Sequence, residues 1–336
     1  MGNIVETRPF VPWEQMNNFM VDAFKGYGVP EEDAKICADV LLESDRRGIE
    51  SHGCNRFKPI YIDRIVKGTL LPVTEIEILK ETPTTIVMDA HDGMGMVASY
   101  RMMEKLIEKA KTYGMAGGAI RNSTHYGIAG YWTSMASKEG MVGITGTNAR
   151  PSIAPTFGVE NMLGTNPLTF SIPTDEEFPF CLDCATSIVQ RGRIEYYARE
   201  GKPTPAGTVI SENGEALTDS QQILKDLVSG TAALAPLGGI GEELAGYKGY
   251  GYAAVVEILS AELIGIIPED TGIITSTNKG EPIVNDENSL AGRAYRNVAE
   301  RIMGNDVPII DFEEEAKFSN KVKKFFSKIL KKGKEN

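Results

Sequence analysis

Three short polar clusters carry the residues whose types and spacing can do chemistry. They are Glu50-Ser51-His52-Gly53-Cys54-Asn55-Arg56, Asn122-Ser123-Thr124-His125-Tyr126-Gly127 and Leu182-Asp183-Cys184-Ala185-Thr186-Ser187. The chain has three histidines, and two of them lie in these clusters among glycine and small hydroxyl residues. An imidazole titrates near neutrality and suits proton removal from a hydroxyl. His52 has Ser51 beside it to orient the ring and Gly53 to admit a ligand. Arg56 is the residue type that grips a carboxylate through two parallel hydrogen bonds. Asp183 is the type that fixes a histidine tautomer and raises its basicity. Base, acid and cation together match oxidation of an alcohol next to a carboxylate, with the hydride leaving to a cofactor. Each residue also has a plainer reading. His52 can cap the following helix, Arg56 can form a surface ion pair, Asp183 can be the N-cap of the next helix, and His125 can pack beside Tyr126. His91, in a turn-like stretch, is given no role.

The elements around the clusters must position them. Met16, Phe19, Met20, Ala23 and Phe24 recur at helical spacing and predict a helix over 13–25, stopped by Gly26 and Gly28. A second helix opens at Pro30 with Glu31, Glu32 and Asp33 in its first turn, where the helix dipole favours negative charge. It ends before Gly48 and leaves the first cluster on a short loop. A third helix is predicted near 59–67. Strands over 84–89 and 116–121 flank a helix over 99–113, and the second strand leads into the second cluster. A helix over 130–139 and strands over 141–147 and 168–172 follow, the two strands being separated by a Gly-, Pro- and Asn-rich loop. The third cluster is expected to run into a helix over 187–199. Residues 201–219 read as turns, with Asp219 near the cap of a helix through Leu227. The turn Gly238-Gly239-Ile240-Gly241 precedes an apolar helix over 248–261, expected to be buried.

A chain of 336 residues accommodates a helical portion over 1–75, a central body over 76–264 and a distinct region over 265–336. Its formal charge of -11 disfavours nucleic acid as a partner, which requires a basic face. No secretory signal is expected from residues 1–6, and the most apolar run is interrupted by Glu257 and Glu262. Four cysteines in a chain of this length suggest reduced thiols. The expected location is therefore cytoplasmic. Cys181 and Cys184 form a lone C-x-x-C without a second ligand pair, so no metal site is expected. They read as small residues packing a strand end. Residues 316–336 hold eight lysines against one glutamate, with Phe318, Val322, Phe325, Phe326, Ile329 and Leu330 at helical spacing. That pattern is read as a terminal helix on its own acidic domain rather than a membrane anchor. Neither G-x-G-x-x-G after a strand nor G-x-x-x-x-G-K-[ST] is present, so nucleotide phosphates would have to be gripped another way.

Several ordered blocks resemble the malate/L-lactate dehydrogenase family, whose members lack a Rossmann domain. The matching stretches are Gly48 to Gly53 (GIESHG), Asn122 to Tyr131 (NSTHYGIAGY), Gly146 to Pro151 (GTNARP), Leu163 to Leu168 (LGTNPL), Leu182 to Gly192 (LDCATSIVQRG) and Gly246 to Tyr252 (GYKGYGY). The resemblance covers about residues 8–264. Beyond that, the strand and cofactor-side segment usual in the family do not appear. It implies an α+β fold, with a central mostly antiparallel sheet flanked by helices and a helical N-terminal portion. It further implies a non-Rossmann nicotinamide site for NAD or NADP and a homodimer. The acid/base histidine would fall on His52, its partner on Asp183, a second active-site histidine on His125 and the carboxylate-binding arginine on Arg56. Ser51, Thr165 and Asn166 would line the substrate site. Cofactor contacts would fall on Thr147, Asn148, the segment Asp183, Cys184, Ala185, Thr186 and Ser187, and on Tyr247 and Lys248. The substrate would be a small 2-hydroxy or 2-oxo acid, malate first, with lactate or sulfolactate as relatives. Two alternatives stand beside this. One is a catalytically impaired interaction protein using the basic C-terminal helix, and the other is a cyclic-imine reductase using the same residues.

Overall fold

Two amphipathic helices, α1 (Trp13–Gly26) and α2 (Glu31–Arg46), form because their apolar residues recur every three to four positions. A computed structural model of the chain describes residues 10–241, 243–260, 285–286, 289–302 and 307. Met20 and Phe24 of α1 pack with Leu41 and Leu42 of α2, and the same core takes in Tyr61, Met96 and Trp132. The chain then makes two single 3-10 turns, Glu50–His52 and Cys54–Arg56, a wide π-helical turn Phe57–Ile62, and α3 (Asp63–Val66). Pro59 falls within the π turn. Its missing N–H removes a helical donor, and such widened turns are often found at functional sites.

Strands β1 (Glu77–Glu81) and β2 (Thr85–Asp89) pair antiparallel, and β2 pairs parallel with β3 (Gly117–Arg121) across the intervening α4 (Gly95–Tyr113). Helix α5 (Ala129–Lys138) precedes a second antiparallel sheet of β4 (Gly143–Gly146), β5 (Leu168–Ile172) and β6 (Phe180–Cys184). Helix α6 (Arg191–Arg199), β7 (Val209–Ser211), α7 (Ser220–Ser229) and β8 (Ala232–Leu234) build a further core around Ile153, Ile194, Val209 and Leu234. Helix α8 (Gly246–Ser260) follows. The described residues therefore form three small sheets, not one central sheet. The loop between β4 and β5 contains Pro151, Pro155 and Pro167, which cannot donate to a ladder. This loop meets β8 through an isolated bridge, Ile153 with Leu234.

The second sheet has two unlike faces. Thr145, Thr169 and Asp183 share one cross-strand row, and Ile144, Phe170 and Leu182 the next. The first face packs on α5, where Thr133 Oγ1 meets buried Ser171 Oγ at 2.7 Å. The other face leaves Ile144, Ile172, Phe180 and Leu182 exposed. Helix α8 also departs from expectation. Gly249, Ala253 and Val256 are buried, while Tyr252, Val255, Ile258 and Leu259 are exposed. Apolar residues surround this helix, and only the narrow stripe of smaller ones meets the body.

The chain divides into two compact units, Met1–Ser260 and Ala261–Asn336. Within the second, α9 (Leu290–Ile302) buries Ala291 and Ala294. The basic stretch 316–336 and residues 273–278 lie outside the described residues. Among the described residues no helix is long and apolar enough to cross a membrane.

Candidate active site

Ser51 ties the base to the cation. Its Oγ lies 2.9 Å from His52 Nδ1, and its carbonyl accepts a 2.6 Å hydrogen bond from Arg56 Nε. The 3-10 turns that carry these residues are fixed from behind by Asp45 of α2, whose Oδ2 accepts the Cys54 amide at 2.8 Å. A Cβ on Gly53 would coincide with that carboxylate, so any side chain there would push Asp45 off the Cys54 amide. Gly192, in the first turn of α6, has a similar constraint, since a Cβ there would meet Arg56 Nη2 and Ser51 Cβ.

The second cluster is pinned to the start of α4. Arg121 Nε and Asn122 Nδ2 each donate at 2.8 Å to Asp89 Oδ2, and Thr124 Oγ1 donates to the Gly93 carbonyl. His125 thereby stacks on His52, with ring centroids 5.5 Å apart and planes 19° apart. Tyr61, inward from the π turn, places its hydroxyl 2.6 Å from His125 Nδ1. The plainer reading of His125 as packing beside Tyr126 is replaced by this polar arrangement. His91 is elsewhere, paired with Glu77 at 3.1 Å.

Burial first and the Arg56 charge second lower the His52 pKa, Asp183 opposes both, and the result is about 4. Burial first, then His52, Arg56 and Arg64, together bring the His125 pKa down to about 3. Both rings are therefore neutral near pH 7, and His52 presents a lone pair rather than a charge.

Asp183 requires a correction, because it does not hold an imidazole. Its Oδ2 accepts the Gly130 amide in the first turn of α5 at 2.6 Å, and its Oδ1 accepts Thr169 Oγ1 at 2.9 Å. A helix N-terminus and a cross-strand hydroxyl are strong partners for a carboxylate, so they take both oxygens. Asp183 reaches His52 through its charge. It is also not the N-cap of the following helix, which starts at Arg191 after Gln190.

Arg56 is near the base, yet its guanidinium already has an occupant. Nη2 is 2.8 Å from Glu195 Oε2, and Arg191 Nε holds the other carboxylate oxygen at 3.1 Å. A substrate carboxylate would share Arg56 with Glu195.

Asn166 is buried and its amide is fully used. It accepts the Ala149 amide and donates to the Ala253 carbonyl and to Glu257 Oε2. It is a clip between the β4–β5 loop and α8 rather than an open group on a substrate wall. The Thr165 carbonyl accepts from both the amide and the hydroxyl of Thr186. The hydroxyls of Thr186 and Ser187 are spent on backbone carbonyls, and Ala185 is buried. This segment can meet a cofactor mainly through its backbone. Cys184 is half-buried, and Cys181, though exposed as a residue, turns its thiol in to accept from buried Ser171 Oγ at 3.3 Å. Thr147 is half-buried and Asn148 exposed, with Asn148 Nδ2 bonded to Glu257. Tyr247 and Lys248 are exposed in the first turn of α8, the ammonium 5.9 Å from the aromatic ring. That ammonium makes no ion pair among the described residues. An unpaired cation and an aromatic ring fit the phosphates and ring of a nicotinamide dinucleotide.

Four positions escaped sequence reasoning: Asp45, Tyr61, Thr169 and Glu195. Glu195 lies three residues beyond the LDCATSIVQRG block, one helical turn from Gly192. That spacing was the available signal.

A model of the malate/L-lactate dehydrogenase family matches residues 11–281. The malate dehydrogenase of Pyrococcus horikoshii is 45% identical over 264 residues, covering 79% of this chain and 71% of that protein. The L-sulfolactate dehydrogenase of Methanocaldococcus jannaschii is 40% identical over 248 residues, covering 74% and 68%. Among solved structures, malate dehydrogenase from Entamoeba histolytica superposes with a TM-score of 0.74 at 38% identity, covering 90% of this chain and 87% of that one.

Proposed function

This chain belongs to the malate/L-lactate dehydrogenase family, a family of 2-hydroxy-acid oxidoreductases, and on that premise we propose that it interconverts malate and its 2-oxo acid with His52 as acid/base. Sulfolactate and lactate are the next substrates in order. The observation that carries the reading is Ser51, which bonds the base with its hydroxyl and the guanidinium of Arg56 with its carbonyl. One residue thus keeps proton acceptor and carboxylate clamp in register.

In the oxidative direction the substrate carboxylate lies against Arg56 beside Glu195. His52, neutral and anchored at Nδ1 by Ser51, takes the hydroxyl proton at Nε2. The family implies a nicotinamide cofactor, which accepts the hydride when bound. Lys248, Tyr247, Thr147, Asn148 and the backbone of 183–187 would hold it, as either NAD or NADP. Asp183 keeps His52 from becoming too weak a base. The exposed row of Ile144, Ile172, Phe180 and Leu182 supports a homodimer, since a contiguous apolar face commonly marks a protein interface.

The test mixes purified protein with NAD or NADP and L-malate, L-lactate or sulfolactate, following absorbance of the reduced nicotinamide ring. Malate is expected to give the highest kcat/KM. Folded protein inactive with all three would overturn the reading.

A further inference from the structure

The geometry points to a division of labour between the two stacked imidazoles: His125 is a neutral hydrogen-bond donor to the substrate's reacting oxygen, and Tyr61 is the residue that fixes it in that form. This rests on the dehydrogenase reading above.

Two groups converge on His125 Nδ1. The Tyr61 hydroxyl is 2.6 Å away, and the Gly127 amide donates at 3.3 Å. A backbone N–H can only donate, so Nδ1 must present a lone pair, and the Tyr61 hydroxyl then donates as well. A neutral imidazole has one proton, which is therefore on Nε2. Among the described residues nothing bonds that atom, and the residue is half-buried. A cationic ring would carry a proton on Nδ1, facing the Gly127 amide hydrogen. Burial and the neighbouring His52, Arg56 and Arg64 also disfavour the cation.

His52 differs. Its Nδ1 meets a hydroxyl, which donates or accepts, so its Nε2 is free to gain and lose a proton. The substrate class is a 2-oxo acid whose carbonyl oxygen gains negative charge as hydride arrives at carbon. A fixed N–H donor stabilises that oxygen without entering the proton balance. In oxidation, the O–H bond breaks and its proton goes to His52. The C–H bond breaks, and a bound nicotinamide would take the hydride. The proton on His125 stays where it is throughout.

The experiment uses the full chain with 15N-labelled imidazoles, and three histidines make assignment direct through His91→Gln and His52→Gln. Wild-type His125 is expected to show a bare Nδ1 and a proton-coupled Nε2, unchanged between about pH 5 and 8, as its lowered pKa implies. A proton on Nδ1, or titration in that range, would overturn the proposal. His125→Ala should lower kcat by about 100-fold, as loss of an oxyanion donor does. His125→Gln, which keeps an amide N–H, should recover most of that loss without moving the pH profile. Tyr61→Phe should lower kcat about tenfold, the worth of one hydrogen bond, and populate the other tautomer in the spectrum. If Gln is as poor as Ala and the acid limb shifts, His125 moves a proton and the assignment fails. A proton on Nδ1 in an active enzyme defeats the donor alone. The expected spectrum in a wild-type protein with no turnover defeats the dehydrogenase reading, and with it the donor's substrate.

Discussion

Arg56 holds Glu195 at 2.8 Å, so the guanidinium proposed to grip a substrate carboxylate already carries an ion pair from α6. Arg56→Ala should raise the substrate KM by about 10- to 100-fold, the worth of a charge-assisted hydrogen bond. Glu195→Gln keeps the hydrogen-bonding shape and removes the competing charge. It should lower the KM for a dicarboxylate by a few-fold, about 1 kcal/mol of local field. Steady-state kinetics of both variants check this. A raised KM in Glu195→Gln would mean that Glu195 orients Arg56 more than it competes.

His52→Ala should lower kcat by about 100- to 10,000-fold, the usual range for general acid/base work. Affinity for the nicotinamide cofactor, read by fluorescence titration, should change little. Near-normal turnover would place the base elsewhere, and His125 with its occupied Nδ1 is a poor substitute.

The pH profile follows from the charges around His52. Its lowered pKa, about 4, means that kcat/KM for hydroxy-acid oxidation should persist well below the ordinary histidine value before it falls. Asp183 raises that pKa, so Asp183→Asn should lower it further. Oxidation, which uses the neutral ring, should then suffer less than reduction, which uses the protonated one. Equal losses in both directions would show that Asp183 acts by holding α5 and Thr169 instead.

Acid stability carries the same signature. From about pH 6.5 down to about 4 for His52 and about 3 for His125, the unfolded chain binds protons that the folded chain does not. Stability contributed by these two rings is therefore full above about 6.5 and lost as pH falls through that window. Urea unfolding of wild type and His125→Gln across the window should converge toward acid. Parallel curves would contradict the lowered pKa.

The apolar outer face of the second sheet gives a further test. Phe180→Asp places a charge among Ile144, Ile172 and Leu182 without touching the inner row that bears Asp183. Light scattering after size exclusion should show a dimer for wild type and a monomer for the variant. A dimer in both would move the interface off this face.

Helices were readable where one side of the pattern was apolar. Helices α1, α2 and α5 begin and end within a residue or two of the periodicity, and Asp219 caps α7 by accepting from Gln221 and Gln222. Strands β1, β7 and β8 were not readable. Glu77–Glu81 is exposed along its length, and the two three-residue strands are too short to show alternation. Strand β6 was hidden because its alternation exposes Leu182 and turns Asp183 inward, the reverse of ordinary patterning. In the site, His52, Ser51 and Arg56 were legible because they share one turn. Tyr61 and Glu195 were not, since a π turn and a separate helix bring them in. Asp183 was legible as a residue and misread as a contact, because sequence does not reveal that α5 presents its first amides to β6.

At Gly192 a bare α-carbon lies against both Arg56 Nη2 and Ser51 Cβ. A single added methyl would displace the anion grip and the imidazole's anchor together. On the proposed roles of Arg56 and His52, one hydrogen atom on α6 thus leaves room for both, and Gly192→Ala should raise the substrate KM and lower kcat together while leaving the helix itself intact.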